Sequence, residues 1–239
     1  MREDRREGGI NDWVYLSAQF SQEPERLQDF RRFISQEPVY SGLQWGRVVA
    51  SIVLLISASD SQKLRSLSNA YLVLSSSLLY PHHLFGTDGS DQVCFLTHAS
   101  GALGRCSGSE RSVSSACDFL AAQTSLSYVA GGLTKLAGQD WRNGEAMRKV
   151  MGTETYGHQG LYEFLQEHPK LSNLASKIVV TWETTFPLLL SHRTTAKLAL
   201  VSGAAFHIAN AKFMGLGRFV LPFIGTYPAI WRRVPGVIR

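Results

Sequence analysis

Long stretches without a charged side chain constrain this chain more than any other feature. Residues 48–59 and 66–87 contain no Asp, Glu, Lys or Arg. Further apolar runs occupy 92–103, 119–134, 171–191, 195–214 and 219–231, the fifth and sixth of the seven carrying two Lys or Glu residues each. A membrane-crossing helix needs about 20 mostly apolar residues. The expected fold is therefore all-α: a polytopic integral membrane helical bundle of five to seven hydrophobic helices, five or six of them spanning. Hydropathy alone leaves one alternative, a soluble all-helical domain whose core helices resemble short spans.

Composition agrees with a folded, apolar chain. Hydrophobic residues make up 44% of the 239 and charged residues 18%, below the roughly 25% of soluble domains, which excludes a disordered chain. The 21 glycines have no Gly-X-Y period, so collagen is excluded. Cys94, Cys106 and Cys117 are too few for a disulfide framework and lack the Cys-x-x-Cys spacing of a structural zinc site. The net charge is +5, but the basic residues are dispersed. No basic stripe offers itself to nucleic acid, so none is expected as a partner.

Residues 1–44 read as an amphipathic N-terminal segment and 45–239 as the membrane domain. Arg2, Arg5, Arg6, Arg26, Arg31 and Arg32 lie among acids, and no uninterrupted apolar core follows them as in a signal peptide. Trp13, Leu16, Phe20 and Phe30 mark a surface amphipathic helix between Trp13 and Ile34, in two pieces divided near Pro24. Trp45 with Arg47, and Trp231 with Arg232 and Arg233, make aromatic and basic interface anchors. The arginine-rich ends favour a cytoplasmic location for both, but the loop charges do not alternate cleanly enough to assign sides. Residues 137–170 are too charged for lipid and predict one or two short interfacial helices. In the turn at 85–91, Ser90 or Asp91 is expected to cap the next helix; a calcium site at Asp88 and Asp91 is the weaker alternative.

Chemistry is expected where polar groups enter apolar runs, because an ionisable group in a span costs about 2.5–3.5 kcal/mol on insertion scales. Spacings of 4, 3 and 4 align Thr124, Tyr128, Gly131 and Lys135 on one helical face. That face combines a base, a hydroxyl and bare backbone; snorkelling of Lys135 to the interface is the plainer reading. Glu183 precedes Pro187 by four residues, which predicts a kink beside a carboxylate, or an ion pair with Lys177 or another helix. His207 shares a face with Gly203, Asn210 and Met214, where a core role competes with chemistry. His82 and His83 fit headgroups better than a metal, since adjacent histidines on a helix point apart.

Two segments make these residues familiar. Residues 127–136, Ser-Tyr-Val-Ala-Gly-Gly-Leu-Thr-Lys-Leu, followed by Asp140-Trp141 and Gly144, resemble the Tyr-hydrophobic-Ala-Gly-x-x-Lys-Leu signature of the HTTM family. That family is the membrane domain shared with vitamin K-dependent gamma-carboxylase. Phe206-His207-Ile208-Ala209-Asn210 with the following 214–219 resembles its Phe-His motif, and Trp182-Glu183 with Phe186-Pro187 fits the acidic, proline-bearing helix between them. The resemblance is read from about Trp45 to Trp231. It implies that Lys135 occupies the place of the base that deprotonates vitamin K hydroquinone, with His207 as its partner at a quinone oxygen. Thr134-Lys135 stands where the carboxylase has a lysine pair, and the large lumenal domain of the carboxylase has no counterpart in these 239 residues, which argues against glutamate carboxylation.

Lys135, His207 and Glu183 are thus the candidate catalytic residues, and Tyr128, Gly131, Trp141 and Asn210 the candidate substrate-binding ones. No metal is expected. The resemblance implies a quinone-like molecule, with membrane lipid and a peptide or protein as partners, and residence as an integral membrane protein, in a bacterium that of the inner membrane. Two functions follow: an enzyme with an intramembrane lysine base acting on a quinone-like, lipidic or peptide substrate, of a carboxylase or oxidoreductase-like kind; or a non-catalytic membrane subunit assisting maturation or export of a secreted peptide.

Overall fold

A computed structural model describes residues 5–58 and 60–237. Among them are twelve α-helices and no strand: α1 (Trp13–Leu16), α2 (Glu25–Ser35), α3 (Glu37–Ile56), α4 (Gln62–Leu79), α5 (Gly89–Cys106), α6 (Glu110–Ala137), α7 (Gln139–Asn143), α8 (Ala146–Met151), α9 (Gln159–Glu167), α10 (Pro169–Leu189), α11 (Arg193–Met214) and α12 (Val220–Arg233). The chain divides into two compact units, Met1–Ala116 and Cys117–Arg239. The boundary drawn from charge at residue 44 falls inside α3.

The all-α expectation holds, but the number of spans does not follow from it. Six helices reach 18 residues, yet among the described residues only α3 is both long and apolar enough to cross a membrane. The reason is where the charges and hydroxyls fall once helix ends are set. The helix α4 takes in Lys63, Arg65 and five serines, α6 takes in Glu110, Arg111, Asp118 and Lys135, and α10 takes in Lys170, Lys177 and Glu183. The last candidate, α12, has 14 residues, short of a full crossing.

In the first unit α4 packs along both α3 and α5. Tyr71 reaches from α4 to donate to the Leu43 carbonyl, 3.1 Å, and Arg47 reaches from α3 to Ser75 Oγ (3.2 Å), Ser76 Oγ (2.5 Å) and the Leu72 carbonyl (3.3 Å). The opposite face of α3 leaves Trp45, Val48, Val49, Ile52, Leu55 and Ile56 exposed, an apolar stripe at helical spacing. The amphipathic N-terminal segment is helical in two pieces: α1 with the 3-10 turn Ser17–Phe20, then α2 beginning just after Pro24. The helix α5 begins with a full capping box: Asp88, not Ser90, is the N-cap and accepts from Ser90 N at 2.8 Å, while Asp91 accepts from Asp88 N at 3.0 Å. Both carboxylates are thereby engaged at the helix start, which replaces the weaker calcium reading. His82 also departs from expectation. It is 1% exposed, packed inside the unit rather than presented at headgroups.

In the second unit the charged stretch 137–170 forms three short helices, α7, α8 and α9, which pack against α10 together with α11. Lys149 bonds Asp140 (2.6 Å) and Glu145 (2.9 Å) on its surface. Those two hydrogen bonds, Asp140 first, raise the Lys149 amine above its ordinary range. Ala121, Thr124, Tyr128, Phe186, Ala196 and Ile230 are buried at its centre.

Candidate functional site

The site assembles on α6, whose glycines let α10 come close. A Cβ on Gly132 would meet Thr184 N at 2.6 Å and the Glu183 carbonyl carbon at 3.0 Å, so backbone lies against backbone there. That approach brings the acidic residue of α10 against the basic residue of α6. Lys135 Nζ donates to Glu183 Oε2 at 2.6 Å, with side-chain exposures of 25% and 6%. The pair is therefore closed on the carboxylate side and open on the amine side. Gly131 borders it, its Cβ position 3.4 Å from Glu183 Oε2 and 3.5 Å from Lys135 Nζ. Trp141 flanks the amine, with Lys135 Nζ 5.6 Å from its ring centre.

Two turns earlier on the same face, Tyr128 is buried and its hydroxyl joins two other helices. It bonds His207 Nε2 of α11 at 2.8 Å and the Tyr227 hydroxyl of α12 at 2.7 Å. Around it lie Phe186 (4.3 Å between ring centres), Trp182 (5.1 Å, edge-on) and Phe223 (5.6 Å), and Phe223 also stacks on His207 at 4.5 Å. Gly203 makes room for this arrangement: a Cβ there would stand 2.4 Å from the Tyr227 hydroxyl and 3.2 Å from the Trp182 ring. Among the described residues, the buried His207 Nδ1 and Trp182 Nε1 have no hydrogen-bond partner.

The α6 face read from spacing is thus real. The structure brings Lys135, Glu183, Gly131 and Trp141 together, and it brings Tyr128 and His207 together. It does not bond Lys135 to His207: each has its own partner, and Tyr128 and Lys135 are linked through the helix that carries both. Glu183 pairs with a lysine of another helix rather than with Lys177. Asn210 contributes its backbone carbonyl to the end of α11, accepting from Gly215 N and Leu216 N; among the described residues it is absent from the ring contacts and hydrogen bonds of the cluster. Tyr227 escaped the sequence reading. Its one signal is a hydroxyl four residues after Phe223 in a charge-free run.

This geometry provides two kinds of proton handling. A lysine and an enclosed carboxylate at 2.6 Å form a close ion pair, and the amine side is reachable from outside. A phenol bonded to a second phenol and to an imidazole must donate to one and accept from the other, so the three side chains form a directional chain whose polarity can reverse.

A family model for the HTTM domain, the domain shared with vitamin K-dependent gamma-carboxylase, matches residues 107–231. The match begins well after Trp45, so the resemblance narrows to the second half of the chain. Every residue of the two polar groups lies within it. No curated protein and no solved structure matches the chain. With just over half of its residues matched, and with Lys135, Glu183 and His207 inside the match, the chain belongs to the HTTM family.

Proposed function

We propose that the chain is an integral membrane protein whose second unit performs proton transfer on a quinone-like, lipidic or peptide substrate, with Lys135 as the exchanging base and Glu183 as its proton partner. The 2.6 Å contact between Lys135 Nζ and Glu183 Oε2 carries this reading. Glu183 is enclosed and can only pass a proton to and from the amine, whereas Lys135 has a free approach on its exposed side. Gly131 leaves space beside the pair, and Trp141 supplies a flat apolar wall for a ring. Tyr128, His207 and Tyr227 form the second relay, two turns away on α6. The helices α3, α4, α5, α6, α10 and α11 serve as the spans; of their charged residues, Arg47, Arg65, Asp118, Lys135 and Glu183 are paired or hydrogen-bonded, which lowers the cost of placing them in lipid.

The test uses the full chain in lipid nanodiscs, supplied with a reduced naphthoquinone under air, with its oxidation followed by absorbance and mass spectrometry. Turnover should exceed that of empty discs and fall about a hundredfold in Lys135→Met, the lower range for loss of a general base. Lys135→Arg should be equally inactive, because a guanidinium does not release its proton. Equal rates in Lys135→Met and the parent chain would remove Lys135 from the chemistry.

A second reading is favoured by one observation: Lys135 with Glu183, and Tyr128 with His207 and Tyr227, already bond each other across α6, α10, α11 and α12. In a non-catalytic subunit that assists a secreted peptide, the same bonds would act as interhelical glue. Lys135→Arg, which keeps the ion pair, would then retain function.

A further inference from the structure

The N-terminal segment of the first unit lies over a histidine that has no hydrogen-bonding role. His82 sits in the 3-10 turn Tyr80–His82, beyond the end of α4 and outside the helices assigned as spans. It is 1% exposed, and both ring nitrogens are buried without a partner among the described residues. The Trp13 ring covers it, 4.3 Å between ring centres.

Three further contacts latch the same segment. Asn11 Nδ2 donates to the Phe85 carbonyl at 3.0 Å and Asn11 Oδ1 accepts from Phe85 N at 3.2 Å. Arg5 donates to the Ser35 carbonyl (2.9 Å) and to Glu37 (3.1 Å), and lies 3.3 Å over the Tyr40 ring. Leu16 is fully enclosed. Residues 5–16 therefore form a strap held at Arg5, Asn11 and Trp13.

The charges that bear on His82 are Arg5 from the strap, Arg31 from α2 and the neighbouring His83, and none of them is an acid. Nearby carboxylates have other work. Glu23 binds Arg31 through two bonds of 2.7 Å, Glu37 binds Arg5, and Asp12 accepts from Val14 N and Gly8 N at the start of α1. A proton on His82 would place a third cation, enclosed and without an acceptor, beside two guanidinium groups. A proton there therefore works against the closed strap, because an enclosed charge without a counter-charge is strongly unfavourable.

We propose that the strap is an acid-released latch, closed over neutral His82 and opened when that imidazole takes up a proton. Burial, reinforced by Arg5 and Arg31, lowers the His82 imidazole to about 4 from an ordinary 6.5. The sign follows from linkage. The closed strap binds no proton at His82 where the open one does, so closure is at full strength above pH 6.5. It weakens up to about tenfold per pH unit as pH falls toward 4, and levels off below that. Once open, the segment presents Trp13 and Leu16 along with Ile10, Val14 and Tyr15, which are exposed already.

Labelling the full chain in nanodiscs with 5-fluorotryptophan tests this, with the Trp13 resonance assigned by its loss in Trp13→Phe. Between pH 7.5 and 4 the Trp13 signal should move to a solvent-exposed position and return on neutralisation. His82→Phe should keep the buried signal at every pH, since neither ring nitrogen makes a bond that phenylalanine would lose. Asn11→Ala, which removes two latch bonds, should move the opening to higher pH. A Trp13 signal unchanged from pH 7.5 to 4 overturns the proposal, as does an identical transition in His82→Phe. If His82→Phe does not fold, the direction of the Asn11→Ala shift decides: no shift, or a shift to lower pH, counts against the latch.

Discussion

Each unit of the molecule carries a cation within a helix, and the two are held in different ways. Among the described residues Arg47 in α3 meets neutral acceptors: two serine hydroxyls and a backbone carbonyl of α4. Lys135 in α6 meets a carboxylate of α10. An arginine held by dipoles works as a clamp between two helices, its planar fork reaching several acceptors at once. A lysine facing an enclosed glutamate is held by an opposite charge and stays open to solvent on its other side. The contrast separates a cation clamped by neutral dipoles from one paired with a carboxylate, although each looks the same in the sequence: a basic residue in or beside an apolar run.

The largest effect should come from breaking the acidic side of the second pair. Glu183→Ala leaves Lys135 facing apolar surroundings and should cost about 3 kcal/mol, the low end for a broken buried pair because the amine is partly solvated. Replacing both, as Lys135→Met with Glu183→Leu, should recover most of the loss in thermal unfolding measured in detergent. If the double variant is as unstable as the single one, the pair is not the unit that matters.

Next comes Gly132→Ala, which forces α6 away from the α10 backbone and should cost about 2 kcal/mol by overpacking. It should also lengthen the Lys135–Glu183 contact, visible as greater reactivity of Lys135 toward an amine-modifying reagent. No change in either readout would place the helix crossing elsewhere.

Arg47→Met removes a charge-assisted cluster and should cost about 1.5 kcal/mol, with Arg47→Lys restoring only part of it because an ammonium lacks the fork. Full restoration by lysine would make the two cations more alike than their partners suggest. The smallest effect is that of Tyr227→Phe. It deletes one hydrogen bond in an otherwise unchanged cage and should cost about 1 kcal/mol. A loss above 3 kcal/mol would mean that Tyr227 is a structural keystone rather than one end of a relay.

Helical spacing alone was enough to align Tyr128, Gly131 and Lys135, because neighbours within a helix are set by 3.6 residues per turn. The pairing of Lys135 with Glu183 was not legible, since the two lie 48 residues apart and Lys177 offered a nearer partner on the same helix. Tyr227 was hidden for the same reason: nothing local ties it to Tyr128, 99 residues away. Span boundaries could not be read from the sequence, because apolar runs and helices do not share ends. Run 66–87 becomes α4 only by gaining Lys63 and Arg65 at one end and losing eight residues at the other. The place of His82 at the end of an apolar run suggests headgroups, while its burial comes from Trp13, which the chain brings back across roughly 70 residues.

What the residue order determined by itself was local and periodic: an all-helical chain, the faces of its helices, the break near Pro24 and the motif that marks the HTTM domain. These depend on backbone geometry within a few turns. Tertiary structure alone decided which acid met Lys135, which phenol met Tyr128, and that a histidine would lie unbonded under the N-terminal strap. Such pairings depend on how closely two helices can approach, and that is set by glycines and side-chain volumes acting together across the fold.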